Sequence, residues 1–163
     1  MSTEQPRIES VHVGDLPKTI IVDWQDGGND VIDLTGSIAR YAALAPLDDP
    51  MVFAKVEAGL WGWSADWPDG IVIGADILNQ IAELQRTWTG KDFTACQDND
   101  LGFSNSELAE LLGITTRTVE KYRSSSRDIP KRAQIACLAM RNDPVMASAN
   151  YHPRKPGRPR KTA

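Results

Sequence analysis

The sequence predicts an α+β domain followed by an all-α domain, and three observations carry that expectation. Short β-branched and aromatic runs separated by Gly, Pro and Asp turns fill the first half, whereas from Asp76 onward apolar residues recur at helical spacing. The charge divides near the same place: residues 1–90 hold five Lys and Arg against fourteen Asp and Glu, and residues 91–163 hold thirteen against eight. A chain of net charge −4 therefore conceals an acidic half at −9 and a basic half at +5, which suggests that one part meets a polyanion while the other does something else. Finally, the chain closes on "RKPGRPRKTA", Arg154 to Ala163, a run that no core could use.

The elements follow in order. "TIIVDW" (Thr19 to Trp24) and "VIDL" (Val31 to Leu34) flank "QDGGND", whose Asp26, Gly27 and Gly28 supply the positive φ of a hairpin turn. "SIARYAALA" (Ser37 to Ala45) has helical composition and stops at Pro46. "MVFAKVEA" (Met51 to Ala58) alternates Val52, Ala54 and Val56 against Phe53, Lys55 and Glu57, as a half-buried strand would. A further strand pair, "GLWGWSADW" and "IVIGAD", is separated by the turn "PDG" at Pro68 to Gly70. Trp61, Trp63 and Trp67 alternate as one strand would and are expected to fill the core, with a ligand or dimer surface as the alternative. Ile77, Leu78, Ile81, Leu84 and Trp88 then form a helical stripe with Asp76 as N-cap, and the domain boundary is expected near Thr89 to Asp92.

The second half carries the functional signal in "FSNSELAELLGITTRTVEKYR", Phe103 to Arg123. Ser104 and Glu107 have capping-box spacing and start a helix whose apolar face is Leu108, Leu111 and Leu112, while Ala109 is small enough for a second helix to cross closely. Gly113 ends that helix in a tight turn, and Thr115 caps a second one through Arg123, with Ile114, Val119 and Tyr122 inward. What stays outward is polar. "FTACQDNDLG" (Phe93 to Gly102) reads as a preceding helix and "IPKRAQIACLAM" (Ile129 to Met140) as a following one, with Pro130 near its first turn.

This run resembles the helix-turn-helix of the Cro/lambda-repressor type over about fifty residues, with the small residue, the turn glycine and the later apolar positions at the same offsets. The resemblance implies a lambda-repressor-like domain whose second helix lies in the major groove of double-stranded DNA. Thr115, Thr116, Arg117, Glu120 and Lys121 are then the candidates for base contacts: Arg117 for a guanine, Glu120 for a cytosine amine, a threonine methyl for thymine. Arg123, Ser124, Arg127, Lys131 and Arg132 are the candidates for phosphates. Such repressors bind paired half-sites, so a homodimer is implied, with either domain as the contact.

The tail "RKPGRPRK" (Arg154 to Lys161) resembles the AT-hook, a thin extended segment whose arginines enter a narrow A·T-rich minor groove. Pro156 stands where that family has its first core arginine, leaving Arg158 and Arg160 as the inserting residues. A true hook and a basic tail that attracts phosphates without sequence preference fit equally. "RNDPVMASANYHP" would be its tether.

The first half, in its order of strand, acidic-glycine turn, Asp-Leu step, "W-x-x-G" and closing helix, resembles a small bacterial α+β domain of unknown function, some of whose members carry a repressor-like domain behind it. That resemblance implies a fold and no activity. His12 and His152 lie outside any nucleophile pattern, no Gly-rich phosphate loop is present, and Asp23, Asp26, Asp30 and Asp33 suit hairpin chemistry better than a calcium loop. No enzyme, cofactor or metal is expected. Cys96 and Cys137 read as small buried hydrophobes of a reducing compartment. No apolar run approaches a membrane span and "MSTEQPRIES" lacks the features of a signal peptide, so a cytoplasmic protein without a membrane partner is expected.

The whole is read as residues 1–90, an α+β domain; 91–145, a helix-turn-helix domain; and 146–163, a basic tail without fixed structure. The expected function is sequence-specific regulation of transcription. The alternative is an antitoxin-like module whose acidic first domain holds a basic protein partner while the second represses its own promoter.

Overall fold

The computed structural model describes residues 5–153. It divides into two compact units, Met1–Arg86 and Thr87–Ala163. The tail residues Arg158 and Arg160 lie outside the described residues.

The first unit is mixed α and β, with two antiparallel three-stranded sheets. Strands β1 (Ile8–Val13), β2 (Thr19–Trp24) and β3 (Asn29–Asp33) form the first, in that order. Ile20 faces Ile32 across the β2–β3 ladder, and Ile20, Val22, Trp24 and Ile32 point into the core. β1, which the sequence reading passed over, pairs with β2 through Val11 and Val22. In the hairpin turn Gly27 and Gly28 both take positive φ, whereas Asp26, expected to do so, does not. Its acids have local work: Asp30 accepts from the Trp24 indole at 2.8 Å and holds Arg86 through bonds of 2.9 and 2.6 Å. Asp23 accepts from Ser10 at 2.5 Å, and Asp33 from the Thr35 amide at 2.8 Å. The Thr35 hydroxyl and, after it, that amide bond hold the Asp33 carboxyl below the usual carboxylate range.

Helix α1 (Thr35–Arg40) is shorter than its composition suggested, and a 3-10 segment, Ala42–Asp48, carries the chain across Pro46 instead of stopping there. The strand expected over Met51 to Ala58 is a correction. Asp49 accepts from the Met51 amide at 2.8 Å and Pro50 takes the first helical position, so α2 (Pro50–Phe53) forms and only β4 (Glu57–Ala58) is extended. An Asp-Pro start outweighed the period-two alternation. β5 (Ser64–Trp67) and β6 (Ile71–Gly74) complete the second sheet around the Pro68 to Gly70 turn. Of the three tryptophans expected on one strand, only Trp67 is buried, with its indole donating to the Phe53 carbonyl at 3.0 Å. Trp61 and Trp63 are exposed, because the chain turns at Leu60–Gly62 and Trp61 takes φ 59°. Helix α3 (Ala75–Gln85) buries Ala75, Leu78 and Ala82; Gly74 is its cap, with Asp76 in the first turn rather than at the N-cap. The Gln85 side chain exchanges bonds with the Asp33 backbone at 2.9 and 2.7 Å and so ties α3 to β3.

The described part of the second unit is helical: α4 (Gly90–Ala95), a π-turn at Cys96–Leu101, α5 (Asn105–Leu112), α6 (Thr116–Arg123), α7 (Lys131–Asn142) and α8 (Pro144–Asn150). Phe93, Leu108, Val119, Ile129, Cys137 and Leu138 make its core, and Phe93 meets Tyr122 edge-on at 5.6 Å. Cys96 and Cys137 are free and buried; a hydrogen bond between them and burial hold the Cys137 thiol well above the ordinary range, so it stays protonated. The stretch read as a tether is largely α8, started by Asp143 accepting from the Val145 amide at 3.0 Å with Pro144 behind it. No helix among the described residues is long and apolar enough to cross a membrane.

Candidate nucleic-acid interface

The site is the polar face of α6, and its placement begins with caps. Ser104 accepts from the Glu107 amide at 3.3 Å, and the Glu107 carboxylate takes the Ser104 amide and hydroxyl at 2.9 and 2.8 Å, satisfying donors at the start of α5 in both directions. Such a cap contributes about 1 kcal/mol. Gly113 ends α5 at φ 65°, ψ 34°, a left-handed conformation that costs a residue with a side chain, and its N–H returns to the Glu110 carbonyl at 3.1 Å. Two residues later Thr115 caps α6, accepting from the Thr118 amide at 3.2 Å.

Val119 is fully buried on the inner side of α6, and Ile114 and Tyr122 are half-buried beside it. The outer side carries the residues that the sequence singled out. Thr115, Thr116, Arg117, Glu120 and Lys121 are all exposed. The Thr115 hydroxyl is engaged as a cap, 2.9 Å from the Thr118 hydroxyl. Among the described residues, Arg117, Glu120 and Lys121 form no side-chain hydrogen bond or ion pair. The structure therefore exposes all five base candidates at the start and along α6, with Arg117, Glu120 and Lys121 the ones whose side chains are without partners among the described residues.

The phosphate candidates divide. Arg127 and Arg132 are exposed, and Lys131 donates to Gln134 at 3.0 Å. Ser124 donates to the Glu120 and Lys121 carbonyls at 3.1 and 3.3 Å, which finishes α6. Arg123 is placed differently from the expectation: its guanidinium grips Asp98 through bonds of 2.7 and 2.9 Å and reaches Gln97 at 2.8 Å. That pairing holds the Asp98 carboxyl below the usual range and raises the Arg123 guanidinium further. Arg123 is thus committed within its own unit.

Two groups escaped the sequence reading. Gln97 is buried, donating to the Phe103 carbonyl at 3.0 Å and to Asn105 at 2.8 Å while accepting from Arg123, so one side chain joins the start of α5 to the end of α6. Gly90 sits against the last turn of α6, where an added Cβ would lie 2.4 Å from the Ser125 carbonyl and 2.6 Å from that of Tyr122. Its N–H donates to the Ser125 carbonyl at 3.0 Å, so the start of α4 satisfies the end of α6. A signal for this existed: Thr89 and Asp92 have capping-box spacing, and the Asp92 carboxylate accepts from the Thr89 amide at 2.8 Å.

No family model matches the chain, and no curated protein matches it. Among solved structures it is similar to NE0471 from Nitrosomonas europaea, a protein named as DNA binding on a provisional basis, at 26% identity over 95% of this chain and 94% of that one, with a TM-score of 0.48.

Proposed function

We propose that the second unit is a sequence-specific DNA-binding domain of the repressor type, with α5 and α6 as its helix-turn-helix and the chain as a regulator of transcription. One observation carries the reading: α6 is fixed at both ends by Thr115 and by the Gly90 and Gln97 contacts, yet its outer face presents Arg117, Glu120 and Lys121 exposed and without partners among the described residues. A rigid helix with an unpaired polar face suits a major groove, where donors and acceptors on base edges replace water. Arg127, Lys131 and Arg132, beyond α6, are placed in sequence to meet phosphates, and the basic tail adds nonspecific attraction. A cytoplasmic homodimer on paired half-sites completes the proposal.

The first unit has the surface of an interaction module. Met51, Leu60 and Trp61 are each more than two-thirds exposed on a strongly acidic unit, which favours a protein partner for it over catalysis.

Selection from random duplexes tests the DNA reading. The wild-type chain is expected to recover a defined site, and Arg117→Ala to relax one position of it at a cost of ~1–3 kcal/mol. Unchanged preference would remove Arg117 from base readout, and failure of the wild type to enrich any duplex at low salt would overturn DNA binding altogether.

A further inference from the structure

The turn between β4 and β5 displays apolar side chains that the fold of the first unit does not bury. Leu60, Trp61 and Trp63 are all exposed. Trp61 holds φ 59°, a left-handed conformation that a glycine would take without steric cost, and its indole is left open. The turn already holds one guanidinium: that of Arg7 lies 3.3 Å from the centre of the Trp63 ring and donates to the Trp61 carbonyl at 3.1 Å. Acids stand next to it. Asp66 lies beside the start of the turn, where a Cβ added to Gly59 would be 2.8 and 2.9 Å from its carboxylate oxygens, and it faces Glu57 directly across the β4–β5 ladder. Carboxylates so opposed repel one another. Ser64 donates to Asp66 at 2.5 Å, but neither acid forms an ion pair among the described residues.

We propose that the β4–β5 hairpin is a docking surface for an arginine-bearing basic segment of a partner protein, whose guanidinium groups stack on the Trp61 indole and pair with Glu57 and Asp66. The proposal rests on the reading of the first unit as an interaction module and specifies the chemistry of its partner. Charge complementarity selects this occupant: residues 1–90 hold five Lys and Arg against fourteen Asp and Glu, so a basic segment is drawn to the unit and another acidic surface is repelled. A cation set against Glu57 and Asp66 also relieves their mutual repulsion. Arginine is favoured over lysine because its planar group stacks on a ring face and bonds a carboxylate through two N–H groups at once, whereas an ammonium is a strongly hydrated point charge. Lys55, exposed on the rim of the same recess as the two acids, offsets part of their charge.

The test titrates the full-length chain at low salt with a short peptide of alternating arginine and serine and with its lysine counterpart, following tryptophan fluorescence and amide NMR shifts. The arginine peptide is expected to bind about 2- to 5-fold more tightly than the lysine peptide, the range that an exposed cation–π contact supports. Trp61→Ser should erase that preference while changing lysine-peptide binding little, and Trp61→Phe should restore most of it. Glu57→Gln combined with Asp66→Asn should weaken both peptides together, and Lys55→Gln should tighten both. Asp15→Asn is the control: Gly62 of the turn packs on the Ile8 backbone, and Asp15 stands beyond the other end of β1, whose six residues span ~20 Å. It should weaken neither peptide appreciably. Equal affinity for the two peptides, a preference that survives Trp61→Ser, or losses as large from Asp15→Asn as from the hairpin acids would overturn the proposal. Capture of a cellular protein by the full chain that Trp61→Ser leaves unchanged would overturn this surface while leaving the interaction-module reading in place. Self-association that Trp61→Ser abolishes, with no peptide bound, would overturn it in favour of a second copy of the chain.

Discussion

The two units place their engaged and open cations differently, although Arg40 and Lys55 of the first also lack a side-chain partner among the described residues. In the first, Arg86 is gripped by Asp30, Lys18 pairs with Asp48, and the Arg7 guanidinium lies 3.3 Å from the centre of the Trp63 ring, so these charges serve the fold that surrounds them. In the second, Arg123 is tied to Asp98 and Gln97, but the side chains of Arg117, Lys121, Arg127 and Arg132 have no hydrogen-bond or ion-pair partner among the described residues. An acidic unit that satisfies such cations internally has little to offer a polyanion. A unit that engages Arg123 and leaves the Arg117 side chain, two turns away, without a partner among the described residues separates a structural cation from an available one within a single helix.

Gly90 offers the most forceful way to break the comparison. A methyl group there would collide with backbone carbonyls of Tyr122, Arg123 and Ser125, none of which can move without unwinding the end of α6. Gly90→Ala is expected to destabilise the second unit by about 3 kcal/mol through overpacking. Calorimetry should show its transition falling while that of the first unit holds. A joint fall of both transitions would mean that the units do not fold independently.

This glycine also marks where sequence stops being legible. The capping box at Ser104, the turn at Gly113, the cap at Thr115 and the outward set on α6 are local features, each fixed by residues within a turn of one another, and they stand where the pattern put them. Gln97, Asp98 and Tyr151 act on residues that lie 6 to 44 positions away, so no spacing rule reaches them. Asp98, Asn99 and Asp100 are poor helix formers, and where the sequence predicts one helix over Phe93 to Gly102 they form a π-turn that aims an acid at Arg123. In the first unit the hairpin was legible through its glycines, but Met51 to Ala58 was not, because Asp49 and Pro50 act before the alternation begins.

Arg123 and Arg117 sharpen the comparison within one helix. Arg123→Ala leaves the oxygen of buried Gln97 without its donor and is expected to cost about 1–2 kcal/mol in the second unit. Arg117→Ala, on the unpaired face, should change stability by less than about 0.5 kcal/mol while altering site preference. Acid separates them too. Because the bond from the Arg123 guanidinium holds the folded Asp98 carboxyl below its ordinary value, its ion pair is intact at neutral pH and its contribution is lost only as pH falls through that depressed value, below the usual carboxylate range. Asp98→Asn should remove that part of the acid dependence; an unchanged acid limb in melts of the variant would mean that other carboxylates govern it.

The smallest effect is expected from the residue that sequence read as core. Trp61 is 72% exposed and holds φ 59°, a conformation that a bulky side chain adopts at a cost, while its carbonyl, not its indole, accepts from Arg7 at 3.1 Å. Replacing the ring removes little buried surface and leaves that backbone bond in place, so Trp61→Ser should shift the first unit by less than about 0.5 kcal/mol. Trp67, six residues on and buried with its indole on Phe53, has no such freedom. A loss of several kcal/mol from Trp61→Ser would show that the indole is covered in solution. A neutral result in the isolated chain with loss of a bound partner would place Trp61 among the contacts of the acidic unit, in the same relation to its fold as Arg117 has to the helical one.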